Sequence, residues 1–261
     1  MITIKTPEEI EIMAEGGKVL AKIMRELEKK VGPGVTTKEL DRVAETLILK
    51  SGGKCSFKRY RGFPACLCAS INEEIVHGVP SNRTIVGGDI ISLDLGVLYK
   101  GFHADMAITL PVGKISSEIE RLIKVTKKTL EIGIGKVKPG NYIGDISRAI
   151  QKYVEKEGFN VVRELCGHGI GRKIHEDPQI LNSVSLDKTT VDKVKFIEDG
   201  KIKIREGMVL CLEPMVTIGD WRIKESEDGF GFETKDGSLS CHFEHTVAVL
   251  KDGAKILTMV E

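Results

Sequence analysis

Val31-Gly32-Pro33-Gly34 and Val137-Lys138-Pro139-Gly140 read as one helix break written twice, 106 residues apart. Working outward from the first copy, Thr6-Pro7-Glu8-Glu9 opens a helix: Thr6 caps, Pro7 suits the first turn and Glu9 closes a capping box. Ile10, Met13, Leu20, Ile23 and Leu27 continue it at helical spacing. Beyond the break, Thr36 and Glu39 open a second helix, carried by Leu40, Val43 and Leu47 and stopped by Gly52. The second copy repeats the order. Ser117 and Glu120 form a capping box ahead of Ile119, Leu122, Ile123 and Leu130. After the break, Ile146, Ile150, Tyr153 and Val154 mark a helix that ends at Gly158. The same shift lays Pro33 on Pro139, Gly34 on Gly140, Leu40 on Ile146 and Gly52 on Gly158. Strand-rich stretches follow each helix pair: Ile90 to Leu98 and His103 to Leu110 in the first half, Val209 to Leu212 and Phe243 to Leu250 in the second. Two rounds of helix, helix, strands predict an α+β fold with pseudo-two-fold symmetry, its halves at about 1–112 and 113–261 of a single catalytic domain. A site between the halves is expected.

Composition narrows the function classes. With 39 basic and 38 acidic side chains in 261 residues, the net charge is +1, and no nucleic-acid or membrane partner is demanded on electrostatic grounds. Aromatics at 5% argue against a stacking platform for single strands. The N-terminus lacks the basic start and apolar run of a secretory signal, and no segment reaches the roughly 18 apolar residues of a membrane span. The six cysteines read as reduced, mostly structural thiols, and the cytoplasm is the expected compartment.

Chemistry concentrates in carboxylates set among apolar strand residues. Asp94 lies inside Ile90-Ile91-Ser92-Leu93-Asp94-Leu95, where a lone charge is costly to bury unless paired or metal-bound. Asp105 sits in the next strand; a turn centred on Tyr99-Lys100 puts it directly opposite Asp94. Two exposed strand aspartates are the plain alternative. Glu213 ends the apolar run Met208 to Leu212, and Glu244 stands in His242-Phe243-Glu244-His245-Thr246-Val247. His168 and His175 occupy a glycine-rich stretch, Gly167 to Glu176, that lacks the strand-to-helix context of a phosphate loop. His77 sits in Ile75-Val76-His77-Gly78-Val79-Pro80. Hard carboxylate oxygens with one imidazole suit Mn²⁺, Fe²⁺, Co²⁺ or Zn²⁺, and several carboxylates can bridge two such ions for hydrolysis.

These stretches, with Ser70-Ile71-Asn72-Glu73 and Glu213-Pro214, resemble the type I, bacterial-type methionine aminopeptidases essentially end to end. The resemblance implies the duplicated pita-bread fold and removal of the initiator methionine from nascent chains, with a small second residue preferred, so that the chain's own Met1-Ile2 start is retained. It implies two divalent ions (Co, Mn, Fe, Zn or Ni) on Asp94, Asp105, His168, Glu213 and Glu244, with Asp105 and Glu244 bridging. By the same resemblance Glu213 takes the proton of the attacking water, His175 hydrogen-bonds the scissile carbonyl and His77 contacts the substrate amide. Tyr60, Phe63, Cys68 and Phe230 form the methionine pocket, suited to a soft thioether. The expected partners are nascent N-termini and the ribosome, and the expected state is a monomer. Three departures stand out. Ile174 replaces a usual aromatic, Phe230 replaces a usual tryptophan, and the connection 185–203 is long, reading either as a hairpin around Asp199-Gly200 or as a contact surface. The absence of a zinc-finger or basic extension fits the short bacterial or archaeal-like form. An X-Pro peptidase of the same fold and an inactive binding homologue are the rival readings.

Overall fold

The computed structural model describes residues 2–184 and 198–259. Its helices are α1 (Pro7–Glu28), α2 (Thr37–Lys50), α3 (Ser117–Ile134) and α4 (Ile143–Lys156). The strands are β1 (Lys54–Cys55), β2 (Leu67–Ile71), β3 (Glu74–Val76), β4 (Ile90–Tyr99), β5 (Phe102–Pro111), β6 (Asn160–Val161), β7 (Cys166–Gly169) and β8 (Glu176–Leu181). They continue as β9 (Val209–Leu212), β10 (Met215–Thr217), β11 (Ile223–Glu225), β12 (Phe232–Thr234), β13 (Ser240–His242), β14 (Glu244–Leu250) and β15 (Gly253–Ile256). A nine-stranded sheet runs β1-β4-β5-β14-β9-β7-β8, with β2 also on β4 and β15 on β14. Two three-stranded sheets, β13-β10-β6 and β11-β12-β3, complete the strands.

The helices start where side chains satisfy the first backbone donors. Glu9 N–H donates to Thr6 Oγ1 while Thr6 N–H donates to Glu9 Oε2, and Thr36 with Glu39 repeats the reciprocal pair. Each such cap stabilises by about 1 kcal/mol. The third helix differs from the sequence reading by one residue. Ser116, not Ser117, is its cap, accepting from Ile119 N–H.

Alternation along the strands separates a helix-facing side from an open one. Leu93, Leu95 and Val97 of β4 pack with Leu20, Met24, Leu27, Leu40 and Ile48 of the first helix pair. Leu210, Leu212, Val247 and Val249 pack with Leu122, Leu130, Ile146, Ile150 and Val154 of the second. Because side chains alternate, Asp94, Asp105, Cys211, Glu213, Glu244 and Thr246 face away from the helices. The helix pairs therefore cover one side of the sheet; on the other, the start of α1 packs Ile10 and Met13 with Val209, Cys211 and Ala248, and the carboxylates beyond that cluster are left for chemistry.

Three local expectations are corrected. Tyr99 pairs with Phe102, so the β4–β5 turn is Lys100-Gly101, both at positive φ (48° and 86°), and every pair shifts by two residues from the expected register. Asp94 thus faces Ala107 and Asp105 faces Gly96. A two-residue shift preserves the face, so the carboxylates stay on one side and sit diagonally. Asp199-Gly200 belongs to a helical turn in which Lys201 N–H donates to Glu198 O, not to a hairpin; the rest of that expectation, 185–197, lies outside the described residues.

The third correction concerns sulfur. Cys55 and Cys66 are joined in a disulfide, with Cα atoms 5.2 Å apart. Cys55 pairs with Val97 and Leu67 with Leu95, so the chain leaves and rejoins the same edge of β4 one residue apart, which is why the two meet. Cys68, Cys211 and Cys241 are buried thiols, as read from the sequence. Among the described residues, no helix is long and apolar enough to cross a membrane.

Candidate metal centre and active site

Five adjacent strands bring one candidate ligand each to the same face: Asp94 on β4, Asp105 on β5, Glu244 on β14, Glu213 just past β9 and His168 on β7. The register aligns them in two rows. Asp94 and Glu244 both face Ala107, which puts them in one row across the sheet. Thr246 and His168 both face Cys211 in the next row. Thr246 hydroxyl donates to Asp105 O and accepts from Asp105 N–H, tying Asp105 to that second row.

The cluster is buried: Asp105 is 3% exposed and Glu244 2%. Asp94 Oδ1, Asp105 Oδ1 and Glu244 Oε1 have no hydrogen-bond partner. Leaving a buried acceptor unpaired costs about 1–3 kcal/mol, and more for a charge. Burial, then the neighbouring Asp105 and Glu213 charges, holds the Asp94 carboxyl far above the usual carboxylate range. Glu244 and Glu213 are pushed up in the same way, by burial first and then by Asp105. Burial raises Asp105 to about 7 against hydrogen bonds that lower it.

His168 completes the set. Its Nδ1 lies 2.9 Å from Gly169 O, and a carbonyl can only accept, so the ring proton sits on Nδ1. The Nε2 lone pair then points at Glu213 Oε1, 3.6 Å away. Burial lowers the His168 pKa to about 4, so the ring takes no second proton, and the contact is relieved either by a proton on Glu213, which burial pushes up, or by a cation. Together with the orphaned oxygens of Asp94, Asp105 and Glu244, that lone pair favours the cation. Atoms of Asp94, Asp105 and Glu244 converge within 4.8 Å of one another, as do those of His168, Cys211 and Glu244, with Glu244 common to both groups. Cys211 is a poor ligand here, since burial and the Glu244 and Asp105 charges hold its thiol protonated. The oxygen and imidazole donors fit divalent cations.

The glycines beside His168 serve close packing, not phosphate binding. A Cβ on Gly167 would strike Cys211 O and one on Gly169 would strike Asp177 O, so both strands approach His168 nearer than a side chain permits.

The expected pocket residues assemble on the same centre. One cavity of about 370 Å³ is lined by Tyr60, Phe63, Cys68, His77, His175 and Phe230 together with all five candidate ligands. Phe63 and Phe230 meet edge-on at 5.6 Å. His77, at φ 60°, stands edge-on to Phe232. His175 packs perpendicular to His168 at 4.4 Å, and its Nδ1 lies 2.9 Å from the Tyr60 hydroxyl. Burial lowers the His175 pKa to about 3, so the ring is neutral. A second cavity, of about 630 Å³, shares Arg61, His77, His168, His175 and Glu213 and opens outward past Glu164 and Lys173. Ile174 lies elsewhere, packed with Ile10, Met13 and Phe102, so it bears on the core beneath the loop and not on the pocket lining.

The family model "Metallopeptidase family M24" matches residues 11–251. The methionine aminopeptidase of Clostridium perfringens is 46% identical over 262 residues, covering all of both chains. This chain belongs to metallopeptidase family M24, among the bacterial-type methionine aminopeptidases. Methionine aminopeptidase 1 of Bacillus subtilis is 45% identical over the whole of both chains. The crystal structure of the Thermotoga maritima methionine aminopeptidase superposes with a TM-score of 0.91 at 42% identity, covering 100% of each chain. A prolidase from Pyrococcus furiosus, at 23% identity and a TM-score of 0.76, shares the fold over 99% of this chain and 66% of its own. The expected pita-bread α+β fold is thus the observed one.

Several residues at the site are absent from the sequence reading. Phe57, Arg61 and Phe232 also line the smaller cavity. Phe57 stands three residues before Tyr60, and Phe232 two after Phe230, spacings that could have flagged them. His242 is 1% exposed, neither ring nitrogen has a hydrogen-bond partner, and its Nε2 lies 4.0 Å from Glu213 Oε2. Its place two residues before Glu244 was the available signal. Glu176, beside His175, accepts from Lys5 Nζ at 2.8 Å and from the Thr3 hydroxyl, anchoring the loop to the N-terminal segment.

Proposed function

We propose that this chain removes the N-terminal methionine from nascent proteins and peptides by metal-dependent hydrolysis, with its two halves acting as one catalytic domain. The observation that carries the reading is the convergence of five candidate ligand side chains, four of them buried and three with orphaned oxygens, in an aromatic cavity. Full-length identity to methionine aminopeptidases supports the choice of substrate. Asp94, Asp105, His168, Glu213 and Glu244 would hold two divalent cations. When bound, these would supply Lewis-acid activation of water and stabilisation of negative charge on the attacked carbonyl oxygen.

The chain's own groups do the rest. Tyr60, Phe63, Cys68 and Phe230 enclose the methionine side chain, and the free α-amine lies towards the carboxylates. Glu213 takes the proton of the attacking water and passes it to the leaving amine. With the Tyr60 hydroxyl donating to its Nδ1, neutral His175 keeps its proton on Nε2 and donates to the scissile carbonyl. His77 contacts the substrate amide. The larger cavity takes the peptide beyond the scissile bond. The reading also places the protein in the cytoplasm as a monomer, meeting nascent chains near the ribosome.

Initial rates on Met-Ala-Ser, Met-Leu-Ser, Met-Pro and Ala-Pro peptides test the specificity. Met-Ala-Ser is expected to be the best substrate, Met-Leu-Ser slower by at least about tenfold, and Ala-Pro uncleaved. Preference for Ala-Pro would establish the X-Pro alternative, and no turnover with any divalent metal would establish an inactive homologue.

A further inference from the structure

The Cys55–Cys66 disulfide closes a ring around one wall of the smaller cavity. Between the two cysteines lie Phe57, Tyr60, Arg61 and Phe63, all of which line that cavity. Outside the ring, the loop has few anchors. Ser56 N–H donates to Gly96 O and its hydroxyl meets His103 Nδ1, Lys58 Nζ donates to Glu45 Oε1, Cys66 and Leu67 N–H donate to Asp41 Oδ1, and the Tyr60 hydroxyl meets His175. Its other backbone bonds are internal, such as Arg59 N–H to Phe63 O at 2.7 Å. Arg59 and Arg61 both adopt left-handed backbone, at φ 74° and 46°, a conformation that non-glycine residues disfavour. A loop built this way gains from a covalent tie at its base.

We propose that Cys55–Cys66 is a reversible thiol–disulfide exchange site, reacting with small-molecule disulfides and thiols, that sets how firmly the loop holds the methionine side chain. The clause about methionine rests on the pocket assigned above. Cys55 is half-buried and Cys66 fully buried, so Cys55 is the sulfur an outside reagent reaches. On closing, the Cys55 thiolate attacks a disulfide such as glutathione disulfide and releases one glutathione thiolate. The Cys66 thiolate then attacks Cys55 sulfur and expels the second. Two protons and two electrons leave the protein, and one external disulfide becomes two thiols. Reduction runs the same steps backwards.

The test uses the full chain in three forms: oxidised with glutathione disulfide, reduced with a phosphine, and the Cys55→Ser/Cys66→Ala variant. Each is desalted and loaded with the same divalent metal. Non-reducing peptide mass spectrometry is expected to show 55 linked to 66 in the oxidised form, about 2 Da lighter than the dithiol. Reduction is expected to lower the melting temperature by about 5 °C and to raise KM for Met-Ala-Ser about three- to tenfold, with kcat within about twofold. The variant should match the reduced form and ignore both reagents. Absence of the crosslink after oxidation, or equal KM and melting temperature in both redox states, overturns the proposal. If neither state cleaves Met-Ala-Ser, the pocket assignment has failed, and an unchanged melting temperature alone then overturns the exchange site.

Discussion

Replacing Glu213 by Gln is expected to lower kcat on Met-Ala-Ser by about 10²–10⁴-fold while leaving the fold intact. The substitution keeps the shape of the side chain but removes the group that carries a proton from water to the leaving amine. It also removes an ionisable group that burial, and then the Asp105 charge, already disfavours in its charged form. Without metal, the variant should therefore melt no lower than the parent. Loss of turnover with an unchanged or raised melting temperature separates a chemical role from a structural one. Full activity in Glu213→Gln contradicts the assignment.

The second large effect is a pH-dependent stability that metal reverses. In the folded, metal-free chain Asp105 is raised to about 7 and Asp94, Glu213 and Glu244 are raised further by burial and mutual repulsion. Unfolded carboxyls titrate near 4. Between those limits the native state binds more protons than the unfolded one, so stability falls as pH rises. The buried histidines act oppositely. His168 is lowered to about 4, and His175 and His242 to about 3, so their protonation on unfolding costs stability only below about pH 6.5. Above that pH the carboxylates lead, joined towards pH 8.5 by the Cys68, Cys211 and Cys241 thiols, which burial pushes up and which act in the same direction. From pH 6.5 to 8.5 the chelated protein is expected to lose about 3–5 °C of melting temperature per pH unit for each carboxyl that stays protonated only in the native state. Mn²⁺ at 100 times its dissociation constant restores about 2.7 kcal/mol per site, increasingly so at high pH, because it binds the deprotonated form. Scanning calorimetry with and without chelator checks both signs; a chelated protein whose melting temperature rises over that range contradicts the cluster.

Repetition made the fold legible early. The paired breaks at Pro33 and Pro139 and the Thr6 and Thr36 caps are local signals, readable because the residues that satisfy a helix start lie within four positions of it. The candidate ligands were legible for a different reason: Asp94 and Glu244 stand among apolar strand residues where a carboxylate has no local justification. Register was harder. Placing the turn one residue early moved Asp94 from Ala107 to Asp105 in expectation, yet the two-residue period spared the conclusion about faces. Tertiary contacts were out of reach. Nothing near Cys55 or Cys66 announces that both ends of their loop settle on one edge of β4, and nothing near His242 shows that it stops beside Glu213 without a partner. Those facts belong to strand order, which a single stretch of sequence does not carry.

Anomalous diffraction from crystals soaked in Mn²⁺ tests the centre most directly. Two peaks roughly 3.5–4 Å apart, enclosed by Asp94, Asp105, His168, Glu213 and Glu244, are the result expected here. No peak within reach of those five side chains, or ions bound only elsewhere on the molecule, would contradict it.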